Sequence, residues 1–154
     1  LYRECIDMLW DTVYKDQAEY ARTSDEPEAK QFNRIMNSVT WAQENFATYP
    51  LLLFAFDQFD TTGGSIFPAV WNAMLQARAD GVGSSLTSVL LFKNDETYDV
   101  LGIPKEDGWR MACCVPFGYP TGKWGVAVRN PAHEVAYRNT WGNPIDEIPE
   151  PLWP

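Results

Sequence analysis

The chain has 154 residues, which is enough for one domain with a hydrophobic core. Its 21 acidic residues outnumber its 12 basic residues and give a formal net charge of −9, a balance that disfavours nucleic acid and anionic membranes as partners. No apolar run in the sequence approaches the length of a membrane span. Charged residues interrupt the opening stretch, where a signal peptide would be apolar, at Arg3, Glu4 and Asp7.

The three cysteines, Cys5, Cys113 and Cys114, do not have the spacing of a metal site or of a thioredoxin motif. An odd number of cysteines without such a motif predicts reduced thiols and a cytoplasmic protein. Cys113 and Cys114 are neighbours within a predicted strand. We therefore expect their side chains to point to opposite faces of the sheet and not to form a disulfide.

The first third of the chain predicts two helices followed by a strand. Residues 1–22 and 27–46 each carry apolar side chains at helical spacing, and Ser24 or Asp25 is the predicted cap of the second helix. Residues 50–56 form a continuous apolar run after a proline, which is typical of a strand buried on both faces. The side chains expected on the apolar helix faces are Ile6, Leu9, Trp10, Val13 and Tyr20, then Phe32, Ile35, Met36, Val39 and Phe46.

A third helix is predicted over residues 65–78, with Pro68 in its first turn and Gly81 in a left-handed cap behind it. Its predicted core face consists of Val70, Ala73, Met74 and Ala77. Residues 84–88 are then rich in Ser and Thr, in a segment that should otherwise be a core strand. Buried hydroxyls and amides need partners. A planar polar ligand is one source of partners, and an ordinary solvent-facing turn is the alternative interpretation.

The second half of the chain predicts a short helix over 93–101 that ends at Gly102, and a strand over 109–117. Residues 121–154 are rich in proline and glycine yet carry several large apolar side chains, which we expect to be buried, with a subunit interface as one possible place. Helices and strands alternate without the rhythm of βαβ units. The predicted class is therefore a single-domain α+β fold.

Few residues are candidates for chemistry. His133 is the only histidine and lies in a predicted loop, which excludes a histidine metal cluster and argues against a catalytic triad. No phosphate-binding glycine motif is present. The acidic pairs Asp57/Asp60 and Asp146/Glu147 are interpreted as solvated loop charge.

Two cations, Lys123 and Arg129, lie in a glycine-containing stretch of an otherwise acidic protein. Such a pair is typical of charge-assisted phosphate binding. Two ordinary surface cations are the alternative interpretation.

Several short segments, taken together and in this order, resemble the flavin-dependent nitroreductase family. The longest of them, Ser65-Ile-Phe-Pro-Ala-Val-Trp-Asn72 and Gly81-Val-Gly-Ser-Ser-Leu-Thr-Ser88, flank the predicted third helix and its cap. The others are residues 74–78, 101–104, 115–120, 122–125, 129–131, 134–137 and 141–142. The resemblance covers residues 50–142 well, and residues 1–49 only as helices in the expected places.

The resemblance implies an α+β fold with a mixed, largely antiparallel sheet flanked by helices and an extended C-terminal arm. It implies an obligate homodimer that holds FMN at its interface. By position in the family motifs, Ser85, Leu86, Thr87 and Ser88 are the expected contacts to the flavin ring, with Leu86 to Ser88 reaching N5. Arg129 is the expected phosphate ligand, and Lys123 matches a basic position of the same arm. No catalytic side chain and no metal are expected.

The implied activity is hydride transfer from NAD(P)H to FMN and then to a small acceptor such as a nitroaromatic or a quinone. Family members open with an arginine-rich segment, a Ser/Gly/Asn loop and a strand that contact the flavin, and none of these is recognisable before the helix that begins at Leu1. We therefore expect a chain that corresponds to the C-terminal portion of the family. The alternative is a truncated, non-catalytic relative that serves in dimerisation or ligand binding.

Overall fold

The structure, a computed structural model, describes residues 1–122 and 130–146. It divides into two compact units, Leu1–Pro120 and Thr121–Pro154, and each is described by itself. Among the described residues, no helix has the length and apolar character needed to cross a membrane. Helices and one antiparallel sheet make up the first unit, which confirms the predicted α+β class. The assignment of the whole chain to one domain stays a prediction.

The N-terminal helix is formed as predicted but is interrupted by a π-helical turn. The segments are α1 at Tyr2–Leu9, the π-helical turn at Trp10–Tyr14 and α2 at Lys15–Thr23. Ile6 and Leu9 are buried, whereas Val13 is 47% and Tyr20 55% exposed. A π-helical turn takes more residues than an α-helical turn. It therefore rotates the later side chains away from the face that a 3.6-residue period predicts.

The second predicted helix is α3, Pro27–Asn45, followed by a 3₁₀ turn at Phe46–Thr48. Its N-cap is Glu26, so the prediction of Ser24 or Asp25 was wrong. The Ser24 hydroxyl instead accepts the amide hydrogen of Glu26, at 3.2 Å, one step before the helix begins. On the predicted apolar face, Met36 is buried and Ile35 is exposed.

The sheet has the order β1-β3-β2, and β3 pairs antiparallel with both neighbours. The bounds are Leu51–Asp57 for β1, Gly83–Ser84 for β2 and Arg110–Gly118 for β3. The prediction that β1 is buried on both faces was wrong, since only Ala55 is fully buried and Leu51 is 60% exposed. The reason is topological: among the described strands β1 lies at an edge and β3 lies in the centre.

The two faces of β3 belong to two separate cores. Cys113 and Val115 pack in a cluster with Val70 of the third predicted helix, whereas Cys114 packs in a second cluster with Leu90. This confirms that the adjacent cysteines point to opposite faces. All three cysteines are free and buried. Successive residues of the central strand therefore stabilise different layers of the fold.

The third predicted helix is α4, Ile66–Ala79, and the Asp60 carboxylate holds its N-terminus. That carboxylate accepts amide hydrogens from Gly64 at 3.0 Å, Ser65 at 2.7 Å and Ile66 at 2.8 Å. The backbone bonds hold the pKa of Asp60 below its usual range. Asp57 pairs with Arg110. The interpretation of Asp57 and Asp60 as solvated loop charge was therefore wrong.

Gly81 ends α4 in the left-handed conformation, with φ +78°, as predicted. The Val82 amide donates to the Ala77 carbonyl at 2.8 Å, and the Gly81 amide donates to the Arg78 carbonyl at 3.1 Å. These two bonds are those of a Schellman cap. The cap turns the chain directly into β2, so it sets where the Ser- and Thr-rich segment meets β3.

The chain then forms a 3₁₀ turn at Val89–Lys93, α5 at Asn94–Leu101 and a 3₁₀ turn at Lys105–Asp107. Gly102 ends α5 with φ +66°, as predicted. The Tyr98 hydroxyl donates to the Trp109 carbonyl at 2.9 Å and accepts the Met111 amide hydrogen at 2.8 Å. One buried phenol therefore ties α5 to the start of β3.

In the second unit, His133 lies in the short helix α6, Ala132–Val135, and not in a loop as predicted. A tight turn follows, in which the Arg138 amide donates to the Asn143 carbonyl at 2.8 Å and Tyr137 bridges to Pro144. Trp141 on this turn is 90% exposed, so within its own unit the expected burial of this side chain is not observed.

We predict that Asp60→Asn lowers the free energy of unfolding at neutral pH. Both carboxylate oxygens of Asp60 accept backbone amide hydrogens, and the asparagine amide nitrogen cannot accept those made to the oxygen that it replaces. Since the pKa of Asp60 is lower in the folded state, its stabilisation is present above its ordinary pKa, roughly 3.9, and is lost as the pH falls through the folded value. Urea unfolding, measured from about pH 7 to about pH 3, should therefore show that the free energies of unfolding of the wild type and of Asp60→Asn become equal in acid.

The matched control is Asp11→Asn, at an exposed helical position for which the described structure shows no side-chain hydrogen bond or ion pair. This variant should have the same dependence of the free energy of unfolding on pH as the wild type. If the difference in the free energy of unfolding between the wild type and Asp60→Asn stays constant down to the lowest pH, the capping role of the Asp60 carboxylate is contradicted.

Candidate functional site

An apolar groove of about 400 Å³ lies between α4 and the segment that follows β2. It is lined by Phe67, Pro68, Trp71 and Met74 from α4 and by Leu86 from that segment. The Asp60 bonds at one end of α4 and the Gly81 cap at the other fix the helix that forms its wall. A groove of this size and apolar lining is suited to a flat organic group.

The segment of residues 85–88, which we call the ribbon segment, is held against β3 through alternate residues. The Ser85 amide donates to the Pro116 carbonyl at 3.3 Å. Thr87 and Cys114 exchange two amide-to-carbonyl bonds, each 2.8 Å long. In extended backbone, successive N–H groups point in opposite directions. The amides of Leu86 and Ser88 therefore point away from β3, and neither has a hydrogen-bond partner within residues 1–122 and 130–146.

The side chains of the ribbon segment also divide between the two faces of the sheet. Residues directly opposite each other in an antiparallel pair share a face. Thr87, opposite Cys114, therefore lies on the face of the second core cluster, and Leu86 lies on the α4 face, where it lines the groove. The Thr87 hydroxyl accepts the Val89 amide hydrogen at 3.3 Å. Ser85 and Ser88 are exposed.

The expected core strand after Gly81 is therefore shorter than predicted. Regular pairing ends at Ser84, one bridge follows at Thr87, and Val89–Lys93 is a 3₁₀ turn. The physical reason is the Thr87 hydroxyl, which satisfies the Val89 amide locally in a side-chain turn that competes with a strand ladder. The solvent-facing interpretation fits Ser85 and Ser88, and it does not fit Thr87.

The structure brings four of the six predicted cofactor-binding residues together: Ser85, Leu86, Thr87 and Ser88. Lys123 and Arg129 lie outside the described residues, so the phosphate-binding role of each stays a prediction. The sequence interpretation assigned no role to the outer face of α4. There Phe67, Trp71 and Leu75 recur every four residues and are 42%, 57% and 49% exposed. Their helical spacing, with two aromatic residues, was the signal that could have identified this face.

The thiols near the ribbon segment are not suited to nucleophilic chemistry. Burial raises the pKa of Cys114 to about 12, and it also raises the pKa of Cys113 and Cys5. The thiolate is the reactive form of cysteine. Within the described residues, no group of acidic, histidine or cysteine side chains could hold a metal ion.

The residues around the groove fit an isoalloxazine ring. Such a ring has apolar faces and an edge of hydrogen-bond acceptors. The groove supplies an apolar surface that Leu86 lines, and the amides of Leu86 and Ser88 are donors without a partner in the part of the chain that the structure describes. The chemistry of this donor set matches a neutral or electron-rich ring edge better than a metal or a cation.

Comparison with known families agrees with this geometry. The model of the Nitroreductase family matches residues 3–119, which is more than half of the chain, and the chain therefore belongs to the nitroreductase family. This membership confirms the resemblance within residues 3–119 and indicates a flavin oxidoreductase in general terms. The resembling segments from residue 122 onward lie outside the matched range and stay predictions. A search of curated proteins gave no match.

We predict that Cys114 resists alkylation in the native protein, because a pKa of about 12 leaves a thiolate fraction on the order of 10⁻⁴ at pH 8. Iodoacetamide treatment followed by intact-mass spectrometry should show slow labelling of the folded protein and three rapid additions after unfolding in urea. The unfolded sample is the internal control, since it carries the same thiols without burial. Rapid native labelling mapped to Cys114 would contradict the buried placement of this strand.

Proposed function

We propose that this chain forms an FMN-dependent oxidoreductase of nitroreductase type, which uses NAD(P)H to reduce a small acceptor such as a nitroaromatic or a quinone. The observation that supports the proposal best is a pair of amides, at Leu86 and Ser88, that have no partner among the described residues and lie in the segment that lines the apolar groove through Leu86, in a member of this family. FMN, when bound, supplies hydride transfer at its N5 atom. The protein's residues supply binding, orientation and electrostatic tuning.

The proposed division of roles follows from the chemistry of each group. The Leu86 and Ser88 amides donate hydrogen bonds to acceptor atoms at the ring edge and stabilise the electron-rich, reduced form. The apolar side chains of the groove exclude water from the ring. Arg129 and Lys123 are proposed to bind the phosphate, as charge-assisted donors in a chain with net charge −9.

We also propose that the protein is a homodimer and that the outer face of α4 is part of the dimer interface. The stripe of Phe67, Trp71 and Leu75 is continuous with the groove, since Phe67 and Trp71 belong to both. An apolar stripe of this kind on one helix is suited to a two-fold contact, in which the same patch serves both copies. Because each copy carries net charge −9, attraction must come from apolar contact and not from overall charge. A cytoplasmic location, proposed from the three free cysteines, is consistent with this assignment.

The cofactor assignment predicts that the full-length protein, mixed with FMN and freed of excess, shows the visible bands of bound flavin. Leu86→Glu should raise the dissociation constant of FMN at least about tenfold, because it places a carboxylate in the apolar groove beside the ring. Titration of FMN followed by flavin fluorescence measures the change.

Leu91→Glu is the matched control for this experiment. Leu91 is 39% exposed against 43% for Leu86, and it does not line the groove. Equal affinity loss in both variants would refute the groove as the flavin site. A colourless wild-type dimer without NAD(P)H oxidation would instead support the non-catalytic relative.

The dimer assignment predicts that Leu75→Glu raises the dimer dissociation constant by roughly two to three orders of magnitude, since a two-fold interface carries the substitution twice. Light scattering after size exclusion, over a range of concentrations, measures this change. Ile35→Glu on α3 is the matched control, because Ile35 is 47% and Leu75 49% exposed in mid-helix positions. If the dimer dissociation constant is unchanged in Leu75→Glu and the dimer is lost in Ile35→Glu, the interface lies on α3 and not on α4.

A further inference from the structure

A second cavity, of about 280 Å³, lies at the N-terminal end of α4. We call it the polar cavity, because its lining includes Asp57, Asp60, Thr61 and Arg110. Phe67 lines both this cavity and the apolar groove, so the two spaces share one wall. A ligand that packs on Phe67 can therefore reach charged and hydroxyl groups that the groove itself lacks.

The Phe67 ring is held by the glycine-containing loop before α4. Gly63 has φ +76°, and its carbonyl accepts the Phe67 amide hydrogen at 3.2 Å. A Cβ atom at Gly63 would lie 2.5 Å from the Phe67 ring, which is too close for a side chain to be accommodated without movement. Glycine permits both the left-handed backbone and the close approach. The shared wall is thus fixed against the loop that carries Asp60 and Thr61.

The charged groups of the polar cavity are two carboxylates and one guanidinium. The Arg110 guanidinium pairs with Asp57, whose carboxylate also accepts the Asp60 amide hydrogen at 3.0 Å. The Asp60 carboxylate accepts backbone amides at the start of α4 and pairs with no cation among the described residues. An anionic ligand group would therefore meet a cation that is already neutralised and a second carboxylate that repels it.

Two side chains of the polar cavity keep hydrogen-bonding capacity for a ligand. A guanidinium has several N–H donors. Within the part of the chain that the structure describes, the Arg110 side chain makes one hydrogen bond, to Asp57, and it is 45% exposed. The exposed Thr61 side chain makes none within residues 1–122 and 130–146. An uncharged oxygen can accept hydrogen bonds from these groups without the repulsion that a carboxylate meets.

We propose that the polar cavity selects the electron acceptor, by binding a neutral, hydrogen-bond-accepting group of an aromatic molecule in preference to a carboxylate. The aromatic ring packs on Phe67, and the carbonyl, amide or nitro oxygen accepts hydrogen bonds from Arg110 and Thr61. Asp57 and Asp60 disfavour anionic acceptors. The inference rests on the proposed function and deepens it, since it names the class of acceptor and the residues that discriminate.

The first experiment needs no flavin. Benzamide, benzoate and benzylamine carry the same ring with a neutral, an anionic or a cationic group. Each is titrated into the full-length protein while NMR follows the amide signals of Gly63 and Ala112, which line the polar cavity. The dissociation constant of benzamide should be at least roughly fivefold below that of either charged compound. No response of these signals to benzamide, or tighter binding of a charged compound, would overturn the inference.

Thr61→Val tests the hydrogen bond at an exposed loop position, where the fold is not at risk. Loss of the hydroxyl should raise the dissociation constant of benzamide roughly three- to tenfold. Thr40→Val on α3 is the matched control, because Thr40 is also exposed and its side chain also makes no hydrogen bond in the described ranges. An unchanged constant in Thr61→Val, or the same loss in Thr40→Val, would contradict the site.

Asp57→Asn tests the charge. The asparagine oxygen can still accept hydrogen bonds from Arg110 and from the Asp60 amide, so the variant mainly removes a negative charge. The dissociation constant of benzoate, relative to that of benzamide, should fall roughly tenfold, because the guanidinium is no longer neutralised.

Asp99→Asn is the matched control for the charge. It also removes one negative charge and leaves a cation without its partner, Lys105 at 2.6 Å, but neither residue lines the polar cavity. The relative affinity for benzoate and benzamide should stay as in the wild type. A ratio that is unchanged in Asp57→Asn, or that falls equally in Asp99→Asn, would refute the role of the local charges.

The second experiment relates the polar cavity to the proposed reaction. Protein loaded with FMN receives NAD(P)H and either para-nitrobenzamide or para-nitrobenzoate. The ratio of the two kcat/KM values is compared between variants, so that the intrinsic reactivities of the compounds cancel. Asp57→Asn should shift this ratio roughly tenfold toward the nitrobenzoate, and Asp99→Asn should not shift it.

The two experiments separate the two proposals. If the wild type binds no FMN while the probe titrations give the expected order, the proposed function fails and the preference for a neutral group stands as a property of the polar cavity. If FMN binds and the nitro compounds are reduced, but the ratio in Asp57→Asn equals that of the wild type, the inference about acceptor selection fails alone.

Discussion

The reciprocal backbone bonds between Thr87 and Cys114 are the interaction on which the candidate site depends. They attach the ribbon segment to the middle of β3, the central strand of the described sheet. Because pairing uses the amides of Ser85 and Thr87, the amides between and after them must point the other way. The donors that we assign to the flavin are thus a geometric consequence of how the segment is held. No special side chain is needed to create them.

The groove has its shape because both ends of α4 are fixed by local chemistry. A single carboxylate, Asp60, accepts the amide hydrogens of Gly64, Ser65 and Ile66 where the helix begins, and Gly81 allows the chain to reverse where it ends. Between these ends, Val70 packs into the core and Trp71 remains on the outer face. One helix therefore serves as core element, groove wall and proposed dimer surface. The core role lies on one side of its circumference, and the other two roles share Phe67 and Trp71.

Features governed by local rules could be predicted from the sequence. The left-handed glycines at 81 and 102, the strand over β3 and the opposed side chains of Cys113 and Cys114 all follow from residue type and period. The errors arose at residues whose exposure is not set by the regular period of their own segment. The exposure of Val13 and Tyr20 follows from a π-helical turn, and the exposure of Leu51 follows from the position of β1 at a sheet edge. The inward direction of the Thr87 hydroxyl depends on its partner across the sheet, which a single sequence does not reveal.

The alternation along β3 has a consequence for how this protein can change over generations. Cys113 belongs to the α4 layer and Cys114 to the layer that contains Leu90 and Tyr98. Volume lost or gained at one position is compensated within its own layer, so the wall of the groove and the helical layer can accumulate substitutions almost independently. The register of β3 is different, because a one-residue slip would exchange the two layers completely. Selection should therefore tolerate new side chains along this strand far more readily than an insertion or a deletion.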